Sequence, residues 1–259
     1  MFVDAHVHIG RYPRPPDVLA DASAARVACV AVTETPREFE MLSLRAGRRP
    51  ALRIALGAHP LRADSLTDEE LKRFRTLLAG ADYVGEVGLD GSREGRETLR
   101  AQRRVFEYVL ASPGIADRVL TVHSRGAEAE TIAALEQVGA TAVLHWYSGA
   151  LKHADTALQA GFYFSVNAAM LRSQKASKLL AAVPRDRVVT ETDGPYAKIG
   201  ARTSVPADIP RIVADLAGAW SCTAEEARKR VWANMAAVHA KAKGPPGPGH
   251  SQDRLFDPT

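Results

Sequence analysis

Eight short, apolar, β-rich runs punctuate this chain and alternate with longer segments of helical patterning. The runs fall at residues 2–6, 27–33, 53–57, 83–87, 119–122, 142–144, 162–166 and 187–191. Helical stretches lie between them at 36–46, 67–79, 95–111, 127–137, 151–159 and 170–182, and two more follow at 207–219 and 223–240. Their starts carry capping chemistry: Thr67 precedes Glu70 and Thr223 precedes Glu226 at capping-box spacing, and Pro36 follows Thr35. Gly139 and Gly161 stand where a residue closing a helix belongs. Strand–helix alternation predicts parallel strands, and eight of them predict a closed α/β barrel of the (β/α)8 TIM type. An open doubly wound sheet is the alternative. Its nucleotide-binding form needs a glycine-rich loop after the first run, and Val7-His8-Ile9-Gly10 offers none.

A length of 259 residues suits one such barrel, so residues 1–242 are expected to form a single domain. From Lys243 onward the chain is rich in proline and glycine and poor in apolar residues, the composition of a disordered tail over 243–259. No apolar run is long enough to span a bilayer. The start lacks the basic and apolar regions of a signal peptide. Cys29 and Cys222 suggest no disulfide framework. These features predict a cytoplasmic protein without membrane association. The net charge of +4 suits a phosphate-rich partner, and equally a genomic bias toward arginine.

Chemistry-bearing residues sit at or just beyond the ends of these runs: Asp4, His6 and His8; Glu86 and Asp90; His123 and Arg125; His145; Glu191 and Asp193. Residues i, i+2 and i+4 of a strand share a face, and the C-terminal strand ends of a parallel barrel face one mouth. Nitrogen and oxygen donors from separate elements would therefore converge, as a metal site requires. Asp4 is included in that shell on its spacing. Arg125 is placed either to clamp a phosphate or to form a salt bridge at the rim. Gln102 is expected to close a structural hydrogen bond and Asp90 to steady a ligand. Trp146 and Tyr147 suit either base stacking or packing. His153 reads as solvated, and His239 and His250 are given no role.

In order along the chain, residues 3–8, 57–60, 85–90, 102–106, 122–125, 145–149, 161–167 and 191–196 resemble the TatD family of metal-dependent deoxyribonucleases, within the amidohydrolase-like barrels. Gly85-Glu86-Val87-Gly88-Leu89-Asp90 and Glu191-Thr192-Asp193-Gly194-Pro195 are the most telling pieces. The resemblance implies two divalent metal ions. His6, His8, Glu86 and Asp193 would hold one; Glu86, His123 and His145 would hold the other, with Glu86 bridging. It places His59 and Glu191 in or just behind this shell, with a third ion as one option, and gives His59, Glu191 and Arg125 roles in chemistry. For Glu191 three roles compete: ligand to a third ion, general base, or acceptor for a neighbouring histidine. The imidazole-rich shell suits Zn²⁺, Mn²⁺ or Fe²⁺ on ligand softness, though availability can override that, so Zn, Mn and Mg are not distinguished.

The implied reaction is hydrolysis of DNA, single-stranded and from an end. Residues 144–149 and 190–195 further resemble the TatD-like member of the Qat anti-phage defence cluster, which implies other proteins of a defence operon as partners. The chain departs from the family at Gly194, at Trp146-Tyr147, and over residues 197–204, a loop expected to help form the mouth. Two other functions compete: an amidohydrolase acting on a C–N or ester bond, and a metal-bound subunit serving mainly in assembly. Several such amidohydrolases bridge their metals with a carbamylated lysine where this chain has Glu86, which favours the nuclease.

Overall fold

The computed structural model describes residues 1–47 and 49–241. Strands β1 (Phe2–Val7), β2 (Val27–Val32), β3 (Leu52–Leu56), β4 (Tyr83–Gly88), β5 (Val119–His123), β6 (Thr141–Leu144), β7 (Tyr163–Val166) and β8 (Val188–Thr190) pair in parallel and in chain order. Each lies within one residue of its expected run at either end. β2 shows why the runs are apolar on both faces: all of Val-Ala-Cys-Val-Ala-Val is buried, since one face fills the barrel and the other meets the helices.

The barrel is nearly closed, and its seam is stitched differently from its other strand pairs. Between β8 and β1, Thr190 Oγ1 donates to the Val3 carbonyl at 2.6 Å, and Thr192 donates to Asp4 through N (2.9 Å) and Oγ1 (2.5 Å). Beyond these, Asp193 N donates to His6 O and His8 N to Gly194 O. Asp4, expected in the metal shell, is therefore a seam residue, fully buried below the mouth. Burial pushes its carboxyl up to about 8 against the lowering effect of the Thr192 bonds.

The helices form the outer ring. α2 (Pro36–Ala46), α3 (Asp68–Leu78), α4 (Leu99–Leu110), α5 (Glu128–Gln137) and α6 (Leu151–Gln159) follow the expected stretches, as do α9 (Ile209–Trp220) and α10 (Ala224–His239). α10 packs on both β1 and β8 and so covers the seam from outside. A further helix, Pro15–Ala24 (α1 in chain order), begins on two prolines, which the first turn accepts because its N–H groups have no intrahelical partner.

The stretch at 170–182 is two helices, α7 (Ala168–Leu171) and α8 (Gln174–Ala182). Asn167 caps the first by accepting from the N–H groups of Ala169 and Met170. Residues 197–204 fold into a small antiparallel hairpin, β9 (Lys198–Ile199) and β10 (Arg202–Thr203), around Gly200 at φ +65°. The domain boundary at 242, the tail and His250 lie outside the described residues. Among the described residues no helix is long and apolar enough to cross a membrane.

Candidate metal centre

Glu86 stands at the middle of the C-terminal mouth. The ladder between β4 and β5 shifts register around it, which re-aims its side chain. The flanking glycines allow the close approach this needs: a Cβ on Gly88 (φ +133°) would fall 2.0 Å from the His123 carbonyl oxygen, and one on Gly85 would strike the Thr121 side chain. Oε2 of Glu86 faces Nε2 of His6, His8 and His59 at 3.4, 3.2 and 3.2 Å. Oε1 faces Nδ1 of His123 at 2.8 Å and Nε2 of His145 at 2.9 Å. Asp193 Oδ1 lies 3.7 and 3.6 Å from the same His6 and His8 nitrogens.

Three sets of donor atoms each fall within 4.8 Å of one another: His6, His8 and Asp193; His6, Glu86 and His145; His59, Glu86 and His123. They fit divalent metal on the chemistry of the donors. His6 Nε2 is buried with no hydrogen-bond partner, and burial beside His145 holds this imidazole well below its usual range, leaving a lone pair directed into the centre. Burial raises Glu86, but His59, His145 and the bond from His123 outweigh it and hold the carboxyl ionised. Burial, reinforced by the charges of Glu191 and Glu86 against the opposing His145, pushes Asp193 well above the carboxylate range. A cation beside it would reverse that.

Two of the rings, His6 and His123, have a hydrogen-bond partner behind them. His6 Nδ1 meets Thr121 Oγ1 at 2.6 Å, and His123 Nε2 meets Asp90 Oδ2 at 2.9 Å. Burial raises Asp90, but bonds from His123 and Ser92 hold it down at about 2, so it can only accept. His123 thus donates from Nε2 to Asp90, and the bonds to Asp90 and Glu86 raise this buried imidazole against the cost of burial; a metal ion would take the place of the proton on Nδ1 that faces Glu86. Asp90 is itself fixed by Gln102, whose amide accepts from Asp90 N at 2.7 Å and donates to the Asp90 and Gly95 carbonyls.

His59 is reversed. Its Nδ1 accepts from Leu61 N at 3.1 Å, so in the neutral ring the proton sits on Nε2, the atom facing Glu86. In that tautomer His59 is a donor to the cavity and not a ligand.

Glu191 lies behind His145, fully buried and outside the cavity wall. Oε1 accepts from Trp146 N and Asn167 Nδ2 at 3.1 and 3.0 Å; Oε2 accepts from Ser165 Oγ and lies 3.8 Å from His145 Nδ1. At 3.8 Å the His145 contact is an ion-pair distance and not a hydrogen bond, so the geometry makes Glu191 a countercharge behind His145 and not the acceptor expected of it. With its oxygens engaged in this way, it has no access to a water in the mouth.

The cavity above Glu86 has a volume of about 760 Å³, and His8, His59, His123, His145 and Asp193 line it. Arg125 also lines it, half exposed, and donates to Glu94 at 3.3 Å. The opposite wall is built on Glu34, which the sequence reading missed. It is buried just past β2 and binds Arg11 Nη2 (2.6 Å), Arg62 Nε (2.7 Å) and the Tyr196 hydroxyl (2.7 Å). Its signal was available: a carboxylate following an apolar run, like the residues that were singled out. The 197–204 hairpin contributes nothing to this wall; only Tyr196 before it lines the cavity. His239 sits away from the cavity, stacked on Tyr83 with Nδ1 3.0 Å from its hydroxyl.

Comparison with known proteins agrees with this geometry. The family described as TatD related DNase matches residues 3–239. The uncharacterized metal-dependent hydrolase YcfH of Escherichia coli K12 is 32% identical over 208 residues, covering 75% of this chain and 77% of the relative. The human deoxyribonuclease TATDN3 is 30% identical over 212 residues, covering 74% and 77%. In fold, the TatD homologue YJJV of E. coli superposes with a TM-score of 0.82 at 24% identity, covering 92% of this chain and 97% of that one. A match running from the first strand to the last helix, together with these relatives, establishes that the chain belongs to the TatD-related DNase family of metal-dependent hydrolases.

Proposed function

We propose that this protein hydrolyses phosphodiester bonds of DNA, from an end and on single strands in preference to duplex, at a two-metal centre bridged by Glu86. The observation that carries the reading is the Glu86 carboxylate itself, one oxygen facing three imidazoles and the other facing two. His6, His8, Glu86 and Asp193 would hold one ion, and Glu86, His123 and His145 the other. When bound, such a pair supplies Lewis acidity to an attacking water and to the phosphoryl oxygens of an in-line displacement.

The chain's own residues do the rest. His59 holds a proton at Nε2 and presents it as a hydrogen-bond donor toward the cavity, where it stabilises charge developing on the departing oxygen, a contribution of about 10²–10³-fold. Arg125 projects into the same cavity with most of its donors outward and orients a phosphate. Glu191 places a countercharge 3.8 Å behind the His145 ring. A cavity of about 760 Å³ matches small-molecule sites and is too small to admit a duplex. The Glu34 wall bounds it on one side, which suits a strand end. The human relative, named a deoxyribonuclease, supports DNA as the polymer. The likeness of residues 144–149 and 190–195 to the Qat cluster member supports a role beside other proteins of a defence operon.

The test is hydrolysis of end-labelled single-stranded and duplex DNA by protein stripped with a chelator and then reloaded. The reading expects activity only after reloading with Zn²⁺, Mn²⁺ or Mg²⁺, progressive shortening, and faster loss of the single strand. Inactivity on DNA with each metal, alongside turnover of a small amide or ester, would assign the amidohydrolase alternative.

A further inference from the structure

A second cavity, of about 350 Å³, adjoins the catalytic one and shares Trp146 and Ser148 with it. Leu151, Met170, Lys175 and Lys178 complete the lining that matters here. Trp146 follows directly on His145 at φ +36°, and its backbone N–H is tied to Glu191. The Trp146 backbone is thus fixed at the junction of the two cavities by the same carboxylate that lies behind His145. The trough owes its far wall to the break between α7 and α8, which a continuous helix over 170–182 would not have made.

Two further observations give the trough a ligand chemistry. Lys175 and Lys178 stand three residues apart on α8, so they project on one side. Both are exposed, and neither meets a carboxylate among the described residues. By contrast, the cations around the catalytic cavity, Arg11, Arg62 and Arg125, are each bound to a glutamate. The second observation is apolar. Five large hydrophobic side chains are exposed among the described residues, and three of them, Leu61, Tyr196 and Leu151, lie along the two cavities. Leu61 and Tyr196 belong to the Glu34 wall, while Leu151 lies in the trough with Trp146; an aromatic and an apolar face beside unpaired cations suit a stacked base and its phosphates.

We infer that the substrate strand leaves the metal centre over Trp146 and lays its next nucleotide in this second cavity, where Lys175 and Lys178 meet its phosphates. The inference rests on the nuclease reading and adds the path of the strand. Strand order supports it: β2, which leads to Glu34, and β6, which leads to Trp146, are four strands apart in a ring of eight, across the mouth from one another. The bounded side receives the terminal residue, and the strand runs out on the opposite side.

The test compares a dinucleoside monophosphate, which has one phosphodiester and cannot fill the trough, with an oligothymidylate that can. Both are assayed with metal-loaded wild type and with the Lys175→Glu/Lys178→Glu double variant. The expected result is a KM for the oligothymidylate raised roughly tenfold or more in the variant, with the dinucleoside turned over as by wild type. Loss of two phosphate contacts should also flatten the slope of log KM against log salt by about 1.4 for the longer substrate alone. An equal change in KM for both substrates, or none for either, overturns the inference; the latter gives the trough to another occupant, such as a partner protein. A wild type that hydrolyses neither substrate overturns the nuclease reading itself, and the strand path with it.

Discussion

The floor of the mouth and its walls use charge in opposite ways. On the floor, Glu86 lies within 3.4 Å of five imidazoles and Asp193 within 3.7 Å of two of them, buried or nearly so. On the walls, Arg62, Arg125, Lys175 and Lys178 reach toward solvent, where salt screens them and a lost contact is shared with water. The floor should therefore respond to substitution as a unit and the walls by degrees. The two walls differ as well. One is locked through a buried glutamate, while the other offers Arg125, held by an exposed one, and two lysines without a carboxylate partner among the described residues.

The largest effect should follow Glu86→Ala. Removing the one side chain shared by every histidine of the floor is expected to abolish DNA hydrolysis, measured as product from end-labelled strands, and to do so more completely than Arg125→Ala. Comparable residual activity in the two variants would break the contrast between floor and wall. Next comes His59→Gln. It should lower kcat by about 10²–10³-fold with the metal content of wild type, as displacement of a hydrogen-bond donor from developing charge does. Loss of metal from this variant would return His59 to the ligands and defeat the tautomer argument.

Glu191→Gln keeps the shape and acceptor behind His145 and removes the charge. A positioning residue of this kind is worth about 10–100-fold in metal affinity or activity. The expectation is a weaker metal titration together with partial activity that excess metal restores. A fall in kcat that saturating metal leaves in place would restore the general-base role. The smallest effects belong to the exposed wall. Arg125→Ala should raise KM with kcat nearly held and reduce the salt dependence of KM. Glu94→Gln, which frees Arg125 from its partner, should lower KM slightly. A large kcat effect from either would move Arg125 from orienting phosphate to the reacting atoms.

The eight strands were legible because apolar runs bounded by capping and turn chemistry are local signals, and their order alone implied the barrel. The histidines and Glu86 were legible because a parallel barrel turns strand ends toward one mouth. Alternation, however, reports which face a residue takes and not how deep it lies. Asp4 shares a face with His6 yet sits lower, in the seam; Glu191 shares a face with Asp193 yet sits behind His145. Glu34 was passed over although the strand-end argument applied to it as well. α1, which starts on two prolines, was not among the expected helices, and the break at Arg172–Ser173 was hidden by helical residues on both sides of it. The trough beside Trp146 had no local signature, since three helices and a loop build it only when packed together.

Metal stoichiometry tests the central claim most directly. Wild type and Glu86→Ala, each stripped with chelator and checked for retained fold by circular dichroism, would be titrated with Zn²⁺ or Mn²⁺ and the bound metal counted. A centre bridged by Glu86 predicts about two equivalents for wild type and at most about one, weakly held, for the variant. Two tightly bound equivalents in Glu86→Ala would contradict the account.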